Sequence, residues 1–276
     1  MPTEKTIQSS SGDTKKEGNP SRLFGLLVRK PCWTLSIWAK LLVVAVVLVV
    51  CILTRWKLCS FLSPNERVPA QYLVVEGWAP TYVIEQAVSE FNRGGYKKIL
   101  TSGGLAKGEW SAQHGVTYAI LAAQQLRRDG MPDDSVVAVS SPTALSDRTY
   151  TAALAVKKWL ATNASPGASV NVFTLGPHGR RSWLLFQKAL GGGAKVGVIA
   201  VSDTEYDPVH WWRSSEGARD VLSEAIAYVY VKLFFHGGKQ PDGTVGLQSV
   251  PSNNMNPRHE IHYAVLELAP DFQKTL

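Results

Sequence analysis

Between Thr34 and Thr54 the chain reads TLSIWAKLLVVAVVLVVCILT, and from Leu41 to Leu53 no residue is polar apart from the Cys51 thiol. Backbone amides in such a stretch have no side-chain or water partners when it lies in lipid, so a helix is the form that satisfies them. As a helix, Thr34 to Thr54 reaches about 30 Å, the thickness of a bilayer's hydrocarbon core. Lys40 is the one charge inside it and sits near enough to one end to extend its ammonium to the interface. We therefore expect one N-terminal transmembrane anchor over residues 34–56.

A cleaved signal peptide is the competing interpretation. The residues that follow, TRWKLCSFLSP, contain no small-x-small cleavage site and no lipobox ahead of Cys59, which favours an uncleaved anchor. Arg22, Arg29, Lys30 and Lys40 precede or open the span, whereas Arg55 and Lys57 follow it. By the positive-inside rule the N-terminus is cytoplasmic and the remainder extracytoplasmic. Residues 1–33 begin with a Ser-, Gly- and Lys-rich stretch and read as a disordered basic tail, residues 57–71 as a linker, and residues 237–276 as an irregular C-terminal tail.

The formal net charge of +7 is concentrated in and around the first 57 residues, which suits a membrane surface better than a nucleic acid. No basic patch interleaved with aromatics, zinc-finger spacing or basic zipper occurs, so no nucleic-acid partner is expected. The cysteines are Cys32, Cys51 and Cys59, all in or beside the apolar segment. The folded domain beyond it therefore has neither disulfides nor cysteine-based metal sites.

From Tyr72 to about His236 short apolar runs alternate with amphipathic stretches. YLVVEG, KKILTSGG, SVVAVSSP, SVNVFTLGP and KVGVIAVS read as strands. Between them, segments beginning Thr81, Ser111, Ser146 and Gly179 carry apolar residues at helical spacing, and a long helix from Ser214 to Phe235 closes the series. Alternation of this kind specifies right-handed βαβ units. The expected fold class is α/β: a Rossmann-like three-layer sandwich with a parallel sheet of about five strands, preceded by one transmembrane helix.

Ligands of open α/β sheets bind outside the carboxyl ends of the strands, so the residues placed there are the candidates. The first strand ends at Glu76 and the second at Ser102, Gly103 and Gly104, whose bare backbone suits a phosphate or carboxylate. Arg148 and Thr149 open the third helix, and His178, Arg180 and Arg181 open the fourth. Cations at a helix N-terminus are unfavourable unless something negative sits among them. Either carboxylates such as Glu76 or Glu216 neutralise them, or His178 and Arg181 form an anion socket with the helix amides. Glu76, a carboxylate ending a buried strand, has to be paired. It is a general base, a hydroxyl ligand or the counter-ion of Arg181 or Arg148. Trp212 and Arg213 could wall a ligand from the loop after the last strand. Glu224, inside the closing helix, reads as a structural ion-pair partner. His259 and His262, in the C-terminal tail, make only a weak metal pair, and no metal site is assigned. There is no G-x-G-x-x-G, Walker or G-x-S-x-G motif.

Taken together, LVVEGW, AVSEFNRGGYKKILTSGG, DRTYTAALAVKKWL, VFTLGPHGRRSWLLFQKAL and YDPVHWWRSSEGARDVLSEAIAYVY resemble the ElyC/SanA/YdcF family, built on domain of unknown function 218. The likeness covers about Tyr72 to Phe235 and is nearest the branch whose first strand ends in Glu-Gly-Trp. It implies a Rossmann-like domain with its site on the strand ends, a single span in the inner membrane, and a place in cell-envelope, peptidoglycan or lipid-carrier metabolism. One branch binds S-adenosylmethionine, but here no acidic residue follows a Gly-rich first turn, and the cofactor is unknown. By position its strand-end residues map here to Glu76, Ser102, Gly103, Gly104, Arg148, Thr149, His178 and Arg181; of these we expect Glu76 and His178 as catalytic groups and the others to hold a phosphorylated or nucleotide-like small molecule. Phosphoester processing is the chemistry this set suits. The alternative is a non-catalytic envelope scaffold or sensor acting through a protein partner.

Overall fold

The computed structural model describes residues 36–144 and 146–237. The expected N-terminal tail, the C-terminal tail and the His259–His262 pair lie outside these. The chain divides into two units, residues 1–48 and 49–276, with the boundary inside the first helix, α1 (Ile37–Leu62). In the first unit, the described side chains of α1 from Ile37 to Leu48 are almost all exposed and apolar. The helix is long and apolar enough to cross a membrane, with a mean hydropathy of 2.8 over an 18-residue stretch. It does not stop at residue 56: residues 57–62, expected as linker, continue it. The reason is tertiary, since Cys59 and Leu62 are buried against Tyr206, Trp211 and Val221 of the second unit.

The second unit is built on a six-stranded sheet. Its strands are β1 (Asn65–Glu66), β2 (Tyr72–Glu76), β3 (Lys98–Gly103), β4 (Val136–Ser140), β5 (Val170–Leu175) and β6 (Val196–Val201). The spatial order is β1-β6-β5-β2-β3-β4. The five strands read from sequence are all parallel, and the two-residue β1 adds an antiparallel edge on β6. β2, first of the parallel strands, lies in the middle, with β3 and β4 to one side and β5 and β6 to the other. This is the doubly wound order, and it reverses between β2 and β5.

Alternate residues of β2 feed two cores. Leu73 and Val75 pack beneath α2 (Thr81–Gly94) and α4 (Tyr118–Arg128). Tyr72 and Val74 pack beneath α5 (Arg148–Asn163) and α6 (Gly179–Leu190). The last helix, α7 (Ser215–Leu233), lies outside α6 and buries Val221 and Val231. The helix expected from Ser111 to Gly130 is instead two, α3 (Glu109–His114) and α4. Gly115 closes α3 at φ 64°, and Thr117 caps α4 by accepting the Ile120 amide.

The glycines at the strand ends have a packing role. A Cβ on Gly77 would lie 2.4 Å from the Tyr118 carbonyl oxygen, and one on Gly103 would lie 2.9 Å from Tyr118 Cβ. The start of α4 therefore presses directly on the ends of β2 and β3. The Gly103 and Gly104 carbonyls accept the Ser141 and Tyr118 amides. The bare backbone of Gly103 is explained by helix contact without any ligand.

Candidate functional site

At the reversal point between β2 and β5, the strand ends bring Glu76 and the turn Gly176–His178 side by side. Glu76 falls on the α5–α6 face of the sheet because it is two and four residues on from Val74 and Tyr72. It is 2 % exposed. Its Oε2 accepts the Ser182 hydroxyl at 2.8 Å and the Thr174 hydroxyl. Thr174 is on β5, in line with Val172 and Val170, and Ser182 is on the buried face of α6. Neither hydroxyl was among the residues singled out from sequence. The period-two pattern of β5 was the available signal, since it puts Thr174 on the same face as Glu76. Among the described residues, Oε1 of Glu76 receives no hydrogen bond.

The cations at the start of α6 have a counter-ion of their own. Glu224, on α7, receives Nδ1 of His178 at 2.9 Å and Nη2 of Arg181 at 3.0 Å on Oε1, and Nε of Arg181 at 2.8 Å on Oε2. The partner is thus Glu224, and neither Glu76 nor Glu216. Burial opposes ionisation of Glu224, but His178 and Arg181 outweigh it and hold its carboxyl far below the usual range. Burial likewise works against Arg181, yet its bonds to Glu224 and the charges of Glu224, Glu76 and Asp147 raise its pKa above the ordinary value. Arg180 takes no part in this. It donates to the Phe61 carbonyl and lies 4.2 Å over the Phe61 ring.

An aromatic wall is present, but it is Trp78 and not Trp212. The Trp78 indole rests on the His178 imidazole at 4.4 Å between centroids. Its position directly after Glu76-Gly77, where the chain leaves the buried strand, was the cue in the sequence. Trp212 is engaged elsewhere, with Arg55 and Trp56, and Arg213 is exposed beside it.

The remaining candidates lie along the same edge. Ser102 is buried, and its hydroxyl donates weakly to the Val75 carbonyl at 3.4 Å. Arg148 and Thr149 open α5 as expected, Arg148 exposed and Thr149 half-buried. The residue before them, Asp147, has φ 53°, the only positive φ of a non-glycine among the described residues. It caps α5 without a side-chain bond to the helix amides. Strained backbone of this kind is tolerated at sites where position matters more than stability. A shallow groove of about 400 Å³ lies at the opposite edge, lined by Val68, Gln187 and the Gly191–Val196 turn. It lacks the convergent polar groups found at the reversal point. Among the described residues no group of His, Cys, Asp and Glu is placed to hold a metal ion.

The arrangement has recognisable chemical capacity. Glu224 on Nδ1 orients the imidazole, and Arg181 Nη2 lies 2.9 Å from Nδ1 and 3.2 Å from Nε2, so ring and guanidinium are held together on the one carboxylate. Glu76 offers a carboxylate oxygen that is unbonded among the described residues, and Arg181 an anchored positive charge. No protein-family model, curated protein or solved structure matches the chain.

Proposed function

We propose that this is a membrane-anchored envelope protein of the ElyC/SanA/YdcF type, whose α/β domain binds a phosphorylated or nucleotide-like metabolite at the reversal of the strand order. It sits in a bacterial inner membrane, with its N-terminus cytoplasmic and the domain extracytoplasmic, following the charge bias around the span. One observation carries the reading. A buried carboxylate (Glu76) whose Oε1 receives no hydrogen bond among the described residues, a carboxylate-held imidazole (His178) and a guanidinium (Arg181) converge where doubly wound sheets bind ligands. Glu224 then acts as the internal counter-ion of His178 and Arg181. An incoming phosphate takes over His178 and Arg181, and the cations at that helix start become favourable; the first amide of α6, at Gly179, is already given to the Gly176 carbonyl. In phosphoester cleavage His178 would protonate the leaving oxygen, and Glu76 would hold or deprotonate the attacking hydroxyl.

The test is thermal unfolding of the wild type and of His178→Ala/Arg181→Ala. The panel contains inorganic phosphate, nucleotides, sugar nucleotides, prenyl phosphates and S-adenosylmethionine. A ligand at a hundred times its dissociation constant adds about 2.7 kcal/mol to the stability of the protein that binds it. A phosphorylated compound should stabilise the wild type and not the double variant. With that compound, Glu76→Gln should retain binding and lose turnover. If no compound shifts either protein, the reading is wrong.

A second reading, a non-catalytic scaffold acting through a protein partner, is favoured by α7. Leu222, Ile226, Val229 and Leu233 are exposed at 4-3-4 spacing, the seam by which one helix takes another. Here Ile226→Arg should abolish association in native-size measurements without lowering the melting temperature, while Glu76→Gln changes nothing. Unchanged association in Ile226→Arg removes this reading.

A further inference from the structure

The end of α1 carries a cluster that the crevice does not use. Past Leu53 the apolar run gives way to Arg55 and Trp56. The Arg55 guanidinium lies 4.4 Å from the centroid of Trp212 and 5.7 Å from that of Trp56. Trp56 meets Trp212 edge-on at 5.6 Å and His210 at 6.1 Å. The Trp211 indole donates to the Arg55 carbonyl at 2.9 Å. The loop after β6 is therefore fastened to α1 within the first turn beyond the apolar run. Around this junction Trp56 is 49 % exposed and Val209 is 55 % exposed, and Lys57 and Arg213 are exposed as well.

Indoles, an alkyl side chain and several cations, all half-exposed, match neither bulk water nor a hydrocarbon core. They match the layer between, where the amphipathic ring of tryptophan is enriched and lipid phosphates meet arginine. Depth follows from chain order. With a rise of about 1.5 Å per residue, Arg55 and Trp56 lie only about 3–5 Å beyond Leu53 along the helix. We propose that Arg55, Trp56, Val209, His210, Trp212 and Arg213 form a docking surface that lies in the phospholipid headgroup layer. The α/β domain is thereby seated on the bilayer and not merely tethered to it.

The crevice is affected because it shares this edge of the sheet. The loop of Val209 to Arg213 follows the C-terminal end of β6. The last turn of α1 also touches the start of α6, where Arg180 donates to the Phe61 carbonyl two residues from His178. A ligand held by His178 and Arg181 is therefore one presented at the membrane surface, a phosphate carried by a lipid. This second step rests on the crevice reading of the preceding section.

The test uses the full chain in discs of phosphatidylcholine and phosphatidylglycerol. A nitroxide is placed at Val209→Cys in a Cys32→Ser/Cys51→Ser background that keeps the buried Cys59. A control label is placed at Ser165→Cys, on the exposed turn before β5 at the opposite edge. The label at 209 should collide with a water-soluble nickel chelate several-fold less often than the label at 165, and more often with oxygen. Trp56→Ala/Trp212→Ala should restore the nickel collisions. Equal nickel access at 209 and 165 overturns the docking surface. For the second step, phosphatidate is added to the discs or inorganic phosphate to the water, and thermal unfolding is followed. Stabilisation by phosphatidate alone, lost in His178→Ala/Arg181→Ala, is expected. Stabilisation by inorganic phosphate alone shows access from water and overturns a lipid-borne ligand. Stabilisation by neither rejects the crevice step and leaves the headgroup contact to stand on the label at 209.

Discussion

Glu224→Gln should be less stable than the wild type by about 3 kcal/mol, and should respond to phosphate more strongly than the wild type does. The two effects have one origin. The substitution keeps the shape of the side chain but removes the charge that neutralises Arg181 and accepts His178 Nδ1, whose side chains are 19 % and 15 % exposed. A charge so enclosed is costly when its partner is lost. Glu224 also occupies the place on both cations that an anionic ligand would take, so its charge competes with binding. Urea unfolding of both proteins, with and without phosphate, separates the contributions. A fall in stability that phosphate recovers in the variant identifies an anion site held by an internal counter-ion. A fall that phosphate never recovers assigns the three residues to joining α6 and α7 alone. Equal stability of the two proteins denies the ion group any structural weight.

The alternation of apolar runs and amphipathic stretches was sufficient for the parallel sheet, because a strand buried on both faces and a helix buried on one leave different periods in the chain. The general rule for ligand sites in such sheets then located Glu76, His178 and Arg181 at one edge before any contact was known. What could not be read was pairing across elements. Glu224 was recognisable as an ion-pair partner from its place in an apolar helix, but nothing local says that α7 crosses α6 at its first turn. Trp212 illustrates the converse. Its place after β6 suggested a wall over the ligand, and a contact with Arg55 and Trp56, far away in the chain, claims it instead. The linker after the span failed for the same reason. Residues 57–62 have no strong helical signal of their own and stay helical because Cys59 and Leu62 find a core to enter. Glu90 left no mark among the candidates, since a lone carboxylate on an amphipathic helix ordinarily belongs to its solvated face.

Glu90→Ala should cost about 2 kcal/mol, a sizeable part of the roughly 5–15 kcal/mol that holds a domain together. Glu90 is on α2, and its side chain is only 3 % exposed. It receives Arg67 through Nε at 3.0 Å and Nη2 at 3.1 Å, Arg93 through Nη2, and the Tyr96 hydroxyl at 3.2 Å. Tyr96 in turn accepts Asn171 Nδ2 at 2.8 Å, and Asn171 bonds both the amide and the carbonyl of Val68. One carboxylate thus ties α2, the segment entering β2, the turn before β3 and the start of β5. Alanine would leave the buried Tyr96 hydroxyl without its acceptor, whereas Arg67, 42 % exposed and still bonded to Asn65, turns to water. Acid should reveal the same group. Burial opposes its ionisation, but the Arg67 and Arg93 hydrogen bonds outweigh it, and the Glu90 carboxyl titrates below its ordinary value. The unfolded chain therefore binds this proton first, near pH ~4.3. The stabilisation is complete above that pH and is lost as the pH falls through the lower folded value. Glu224, also depressed, contributes with the same sign. Urea midpoints measured from neutral pH down to about pH 3 should fall steeply for the wild type and less steeply for Glu90→Ala. Parallel curves would mean that the ionised carboxylate is not what stabilises this junction. A shallower curve in Glu90→Ala, with that of Glu90→Gln close to it, would assign the acid sensitivity to the charge and the remaining loss in alanine to the broken packing.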